Sequence, residues 1–145
     1  MYKRSNPYQE VAVQTSSPTK LVVMLYEGSI RFLRQSIAAI QSKDLDRKRQ
    51  SIDRAVAVIQ HLQGTLDMDR GSDVAAELDR LYTYITSKIV EGSGKLEVAP
   101  LEEAIKLLTV LLSGWEQITK KEQEHAVPST LLAQLPPSGG FQLHA

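Results

Sequence analysis

Apolar side chains in this chain return every three, four or seven positions, in four stretches separated by proline and glycine. In one of them Leu45, Ile52, Ala55, Val56, Ile59, Leu62 and Leu66 follow that spacing, which gathers them on one face of a helix of 3.6 residues per turn. A half-buried strand would need alternation with a period of two, and no stretch sustains it.

The punctuation places the ends. Ser17-Pro18 combines an N-cap serine with a proline at the first helical position, predicting a helix over about 18–41. Asp44 caps a second over about 44–67. Ser72 and Asp73 open a third, with Val74, Leu78, Leu81, Tyr82, Ile85 and Ile89, and Gly92-Ser93-Gly94 closes it at about 91. Ala99-Pro100 opens a fourth, through Leu101, Ile105, Leu108, Leu112 and Trp115 to about 126. Connections this short make neighbouring helices antiparallel. The expected fold is all-α: an antiparallel four-helix bundle forming one domain over 1–127. Residues 1–16 make an N-terminal extended or short helical cap. Residues 128–145 form an irregular, flexible tail rich in proline and glycine, whose Leu131, Leu132, Leu135, Phe141 and Leu143 can still dock on other surfaces.

The first helix carries more apolar surface than one core needs. Leu21, Val22, Val23, Leu25, Tyr26, Ile30, Phe32, Leu33, Ile37 and Ile40 sweep about 200° of its circumference, against about 120° for the second. Some apolar residues fall outside the main stripes: Met24 on the first helix, Val58 on the second, Tyr84 and Val90 on the third, and Val110 on the fourth. These are candidate contacts for a partner. Isolated exposed apolar residues are also ordinary. Gly28, one turn from Met24, costs the helix about 1 kcal/mol relative to alanine and marks a place for close backbone approach. Tyr8, Val11 and Val13 alternate with polar residues ahead of the first helix, either as a strip lying in a helix groove or as a frayed terminus.

Composition narrows the function. Lysine plus arginine equals aspartate plus glutamate at 17 each, so no global charge draws in nucleic acid or an anionic membrane. No cysteine is present, which removes disulfides and thiol chemistry. The N-terminal residues lack a secretion signal's apolar run, and Leu21–Tyr26 is too short to span a bilayer, so a cytoplasmic, non-membrane protein is expected. The basic residues Lys43, Arg47, Lys48, Arg49 and Arg54 are interleaved with Asp44, Asp46 and Asp53, a pattern of intrahelical ion pairs on a solvated face.

Catalytic constellations are missing. His61, His125 and His144 have no second ligand at helical spacing, so no metal or cofactor is expected. Gly92-Ser93-Gly94-Lys95 lacks the earlier glycine and the magnesium-binding hydroxyl of a phosphate loop, and it follows a helix. The enzymatic rival is a histidine phosphotransfer module using His61. Its "HLQG" places leucine and glycine one residue early and has glutamine where a lysine would steady the phosphoryl group. The expectation is a protein that is not an enzyme. A bundle that only self-associates, as a weak homodimer, is the second reading.

The stretches "YQEVAVQTSSPTKLVVMLYEGSIRFL" from Tyr8, "AAELDRLYTYI" from Ala75 and "LLSGW" ending at Trp115 resemble the flagellar export chaperones of the FliS family. That resemblance implies a cytoplasmic four-helix bundle that binds the disordered C-terminal segment of flagellin, blocks premature polymerisation and delivers it to the flagellar type III export gate. It also implies that the N-terminal strip, here Tyr8 and Val11, covers part of the client groove. Ser16-Ser17 departs from the family's usual alanine-serine, and nothing beyond Pro128 matches a motif.

Overall fold

Ser17 begins the first helix as a serine before proline should. Its hydroxyl accepts a hydrogen bond from the Lys20 backbone N–H at 3.3 Å, and Pro18 sits where the helix has no use for an N–H. The computed structural model describes residues 17–68 and 73–125. They form four helices: α1, Pro18–Gln41; α2, Leu45–Gly64; α3, Asp73–Lys95; and α4, Val98–His125. Tyr8, Val11, the rest of the cap and the tail lie outside the described residues.

Each helix packs against its neighbours in sequence, and α1 closes the ring against α4. Polar cross-links show the direction of all four seams. Ser36, late in α1, meets Ser51, early in α2, with hydroxyls 2.7 Å apart. Gln63 at the end of α2 donates to the Asp79 carboxylate at 2.8 Å. The Tyr84 hydroxyl on α3 donates to Glu103 on α4, and Thr19 at the start of α1 donates to Glu122 near the end of α4. Three of these pairs join a late position to an early one, and on the α3–α4 seam Lys88, in the second half of α3, also reaches Glu103 at 3.8 Å, so the bundle is antiparallel throughout.

The core draws Leu25, Tyr26, Ile30 and Leu33 from α1, Ile59 and Leu62 from α2, Tyr82, Ile85 and Ile89 from α3, and Leu101, Ala104 and Leu108 from α4. Burying a side chain of this size stabilises the fold by about 1.5–3 kcal/mol each before entropy is subtracted.

Three helix ends differ from the sequence reading. The second helix stops at Gly64 rather than near 67, where Thr65 turns its hydroxyl back to the Leu62 carbonyl at 2.7 Å. The third runs through Gly92 and Gly94 to Lys95 and is stopped by Leu96, whose φ of 55° is left-handed. Gly92 serves packing instead: a Cβ there would lie 2.8 Å from both the Glu97 carbonyl oxygen and Leu101 Cγ. The fourth begins at Val98, so Pro100 falls inside its first turn, where a missing N–H breaks no intrahelical bond.

Candidate binding groove

The contact between Tyr84 and Glu103 fixes the register of α3 against α4, and Lys88 joins it from 3.8 Å. The hydrogen bond to the Glu103 carboxylate raises the Tyr84 pKa above the ordinary tyrosine value. At 100° per residue, Val110, Gly114, Leu107 and Ile118 fall within about 60° of Glu103 on α4. On α3, Lys88, Leu81 and Val74 fall within about 80° of Tyr84. These two faces meet along one seam as far as the start of α3, beyond which the stripe of α4 continues to Ile118.

Along that seam the apolar side chains are open to solvent. Val110 is 65% exposed, Ile118 45% and Tyr84 42%, with Val74 at 66%. Leu81, Leu107 and Leu111 are half-buried and form the floor. Gly114 lies on the same line, and a Cβ built there would meet nothing within 4 Å. Glu77 stands on the α3 rim, paired with Arg80. The result is a shallow apolar trough with Lys88 and Glu103 at one end, Glu77 and Lys106 on its two edges and Lys121 in line beyond Ile118. A helix lies well in such a trough, since a helical ligand needs only a stripe of apolar side chains at i, i+3, i+4 and i+7.

Behind the trough, the quoted sequence stretches meet in a buried polar node. The hydroxyls of Tyr26 and Tyr82 are 2.6 Å apart with their rings tilted at 53°, and Trp115 packs against the core close enough to act on the Tyr26 hydroxyl. Burial pushes the Tyr26 hydroxyl well above the usual tyrosine range; the bond to Tyr82 pushes the same way, and Trp115 partly opposes it. Burial likewise raises Tyr82. Three helices are thus tied together by groups whose partners they cannot exchange for water without a desolvation cost.

Of the residues singled out in the sequence, Tyr84 and Val110 come together in the trough. Val90 faces a different seam, a depression of about 580 Å³ between α2 and α3 lined also by Gln60, Gln63 and Thr86. Val58 is corrected: it is 4% exposed and part of the core. Counting only apolar residues trimmed the α2 stripe on the side where Ser51 is buried against Ser36, and Val58 lies on that side. Met24 is half-buried on α1, outside the core cluster and away from the trough. Gly28 is buried, but among the described residues a Cβ there would meet only the Arg31 guanidinium at 3.7 Å, an ordinary contact. Among the described residues the close approach is at Gly92, while the N-terminal strip, the other neighbour expected at Gly28, lies outside them.

Leu107, Gly114 and Ile118 went unnoticed in the sequence. They were detectable: residues 103, 107, 110, 114 and 118 make a second stripe beside the core stripe of α4. The basic residues of α2 are engaged locally. Arg49 pairs with Asp46 at 3.4 Å, Lys48 donates to the Ser93 carbonyl at 3.1 Å, and Arg54 lies over the Phe32 ring. His61 is exposed in the last turn of α2. Among the described residues no group of three or more histidines or carboxylates could hold a metal, and no helix is long and apolar enough to cross a membrane.

Fold and trough together define a four-helix bundle with an open, helix-sized seam between two of its members. The chain belongs to the flagellar protein FliS family, which it matches over residues 1–122. It is 31% identical over 121 residues to the flagellar secretion chaperone FliSB of Pseudomonas aeruginosa, covering 81% of this chain and 96% of that protein. Identity to the flagellar secretion chaperone FliS of Bacillus subtilis is 30% over 117 residues, 81% of this chain and 86% of the relative. The fold is shared with a bacterial flagellar chaperone of known crystal structure, at a TM-score of 0.67 and 21% identity over 75% of this chain and 89% of that one.

Proposed function

We propose that this protein is a cytoplasmic chaperone that binds the disordered C-terminal segment of flagellin, prevents its premature polymerisation and delivers it to the flagellar type III export gate. The reading assigns binding, not catalysis, to a single domain over 1–127, with one client helix seated in the α3–α4 trough on Tyr84, Leu107, Val110 and Ile118. Tyr8, Val11 and Met24 are proposed as contacts elsewhere on the same client.

The observation that carries the reading is the exposed second stripe of α4, in a chain whose relatives are named flagellar secretion chaperones. A disordered segment loses conformational entropy when it folds on a partner, so its partner must offer extended apolar surface to offset that loss. The apolar stripe of Leu107, Val110 and Ile118 along α4 supplies such surface.

Calorimetry against a peptide of the last few dozen residues of the cognate flagellin tests it. The expected result is one-to-one binding at micromolar concentration or tighter, with a negative heat-capacity change. Val110→Asp should weaken binding at least about tenfold, equivalent to about 1.4 kcal/mol, while leaving the thermal midpoint nearly unchanged. No heat at micromolar concentrations would defeat the function; wild-type affinity in the Val110 variant would defeat the placement in this trough.

A further inference from the structure

We propose that the chain's own segment "TLLAQL", residues 130–135, docks in the α3–α4 trough and occupies it until another ligand displaces it. The docking stands apart from the flagellin reading; only its competition with flagellin rests on that reading.

The segment is tethered to the right wall. It follows α4, which ends at His125 and supplies one side of the trough. Ile118 lies seven residues before that end and Val110 fifteen before it, about 10 Å and 22 Å back along the helix. From His125, six residues of extended chain reach about 20 Å to Leu131, and a helical turn from there adds about 6 Å to Leu135. Allowing about two or three residues for the reversal, the tail can fold back over Ile118 and Gly114, and its far end approaches Val110. The N-terminal strip is anchored less well for this site, because it leads into α1, which packs on α2 and α4 rather than along α3.

Chemistry points the same way. Residues 126–145 contain no lysine, arginine, aspartate or glutamate, whereas the bundle is richly charged. Leu131, Leu132 and Leu135, at i, i+1 and i+4, share one face of a helical turn, and Pro128 and Pro136 bracket them. An uncharged apolar turn enters the trough without stripping water from an ion. The tether holds it at an effective concentration in the millimolar range, so even a weak contact is populated. The match to the family ends at residue 122, so this segment lies beyond the matched stretch.

The absence of native cysteine allows a direct test in the full chain. Under mild oxidation, the double variant Gly114→Cys/Leu132→Cys should close an intramolecular disulfide about tenfold faster than Ala57→Cys/Leu132→Cys, a gain of the size a docked tether confers. Ala57 is the control because it is exposed on α2, diagonal to α4. Adding Leu131→Asp and Leu135→Asp should erase the difference. Equal closure rates for the two pairs would overturn the proposal, as would a product made mainly of Gly114→Cys chains joined to each other, which would give the trough to a second copy. Faster closure of Gly114→Cys with Tyr8→Cys than with Leu132→Cys would give it to the N-terminal strip. Flagellin peptide should slow closure; a peptide that binds in calorimetry without slowing it would overturn the competition and leave the chaperone function standing. A peptide that does not bind at all would defeat the function and leave the disulfide rates to decide the docking.

Discussion

At the scale of single residues, the hydroxyl of Tyr26 links the ionisation of the chain to its stability. Its pKa is raised in the folded state, so below the ordinary tyrosine value near 10 both states hold the proton and the full stability is present. Above that value the unfolded chain ionises first, and stability is lost as pH rises toward the folded pKa. Thermal melts should be flat from about pH 7 to 9 and fall beyond about pH 10. Tyr26→Phe should cost about 1–3 kcal/mol at neutral pH, because Tyr82 loses a buried partner, and should fall less steeply above pH 10. Parallel slopes for the two proteins would reject this linkage. The tyrosines and Trp115 stood out in the sequence; their meeting did not, since contact between residues 26, 82 and 115 depends on how three helices are rotated about their axes. Val58 failed for a related reason, because a serine can widen a buried face when another serine satisfies it.

The helices themselves were legible, since spacing and caps act within a few residues. Their ends were less so, because Gly92 serves a neighbouring helix and leaves the left-handed stop to Leu96. That division of labour separates two glycines a few residues apart. Gly92→Ala should destabilise the protein by about 2–4 kcal/mol, since its Cβ would collide with backbone as well as with Leu101. Gly94→Ala, with nothing within 4 Å, should be neutral or stabilise by up to about 1 kcal/mol. Denaturant midpoints of the two variants decide it: similar losses in both would mean that the glycines act through helix propensity alone. The second stripe of α4 belongs to this scale too. It was present in the sequence but overshadowed by the core stripe beside it.

For the molecule as a whole, the important division is between apolar surface that holds the bundle together and apolar surface left open on it. Val58→Asp should abolish cooperative thermal unfolding, because it buries an unpaired charge between helices. Val110→Asp should leave the melt intact. If the Val58 variant melts like wild type, its helix is rotated from the position described. The bundle could be foreseen from periodicity, and excess apolar surface could be foreseen as well; which seam holds it could not, because that depends on the register of α3 and α4, set by side chains from both. The chain contains one tryptophan, and Trp115 lies close to the Tyr26 hydroxyl across the α1–α4 seam. The protein therefore carries a built-in optical gauge: ultraviolet emission from that single indole reports, without any added dye, whether the inner seam is shut while the outer one is being filled.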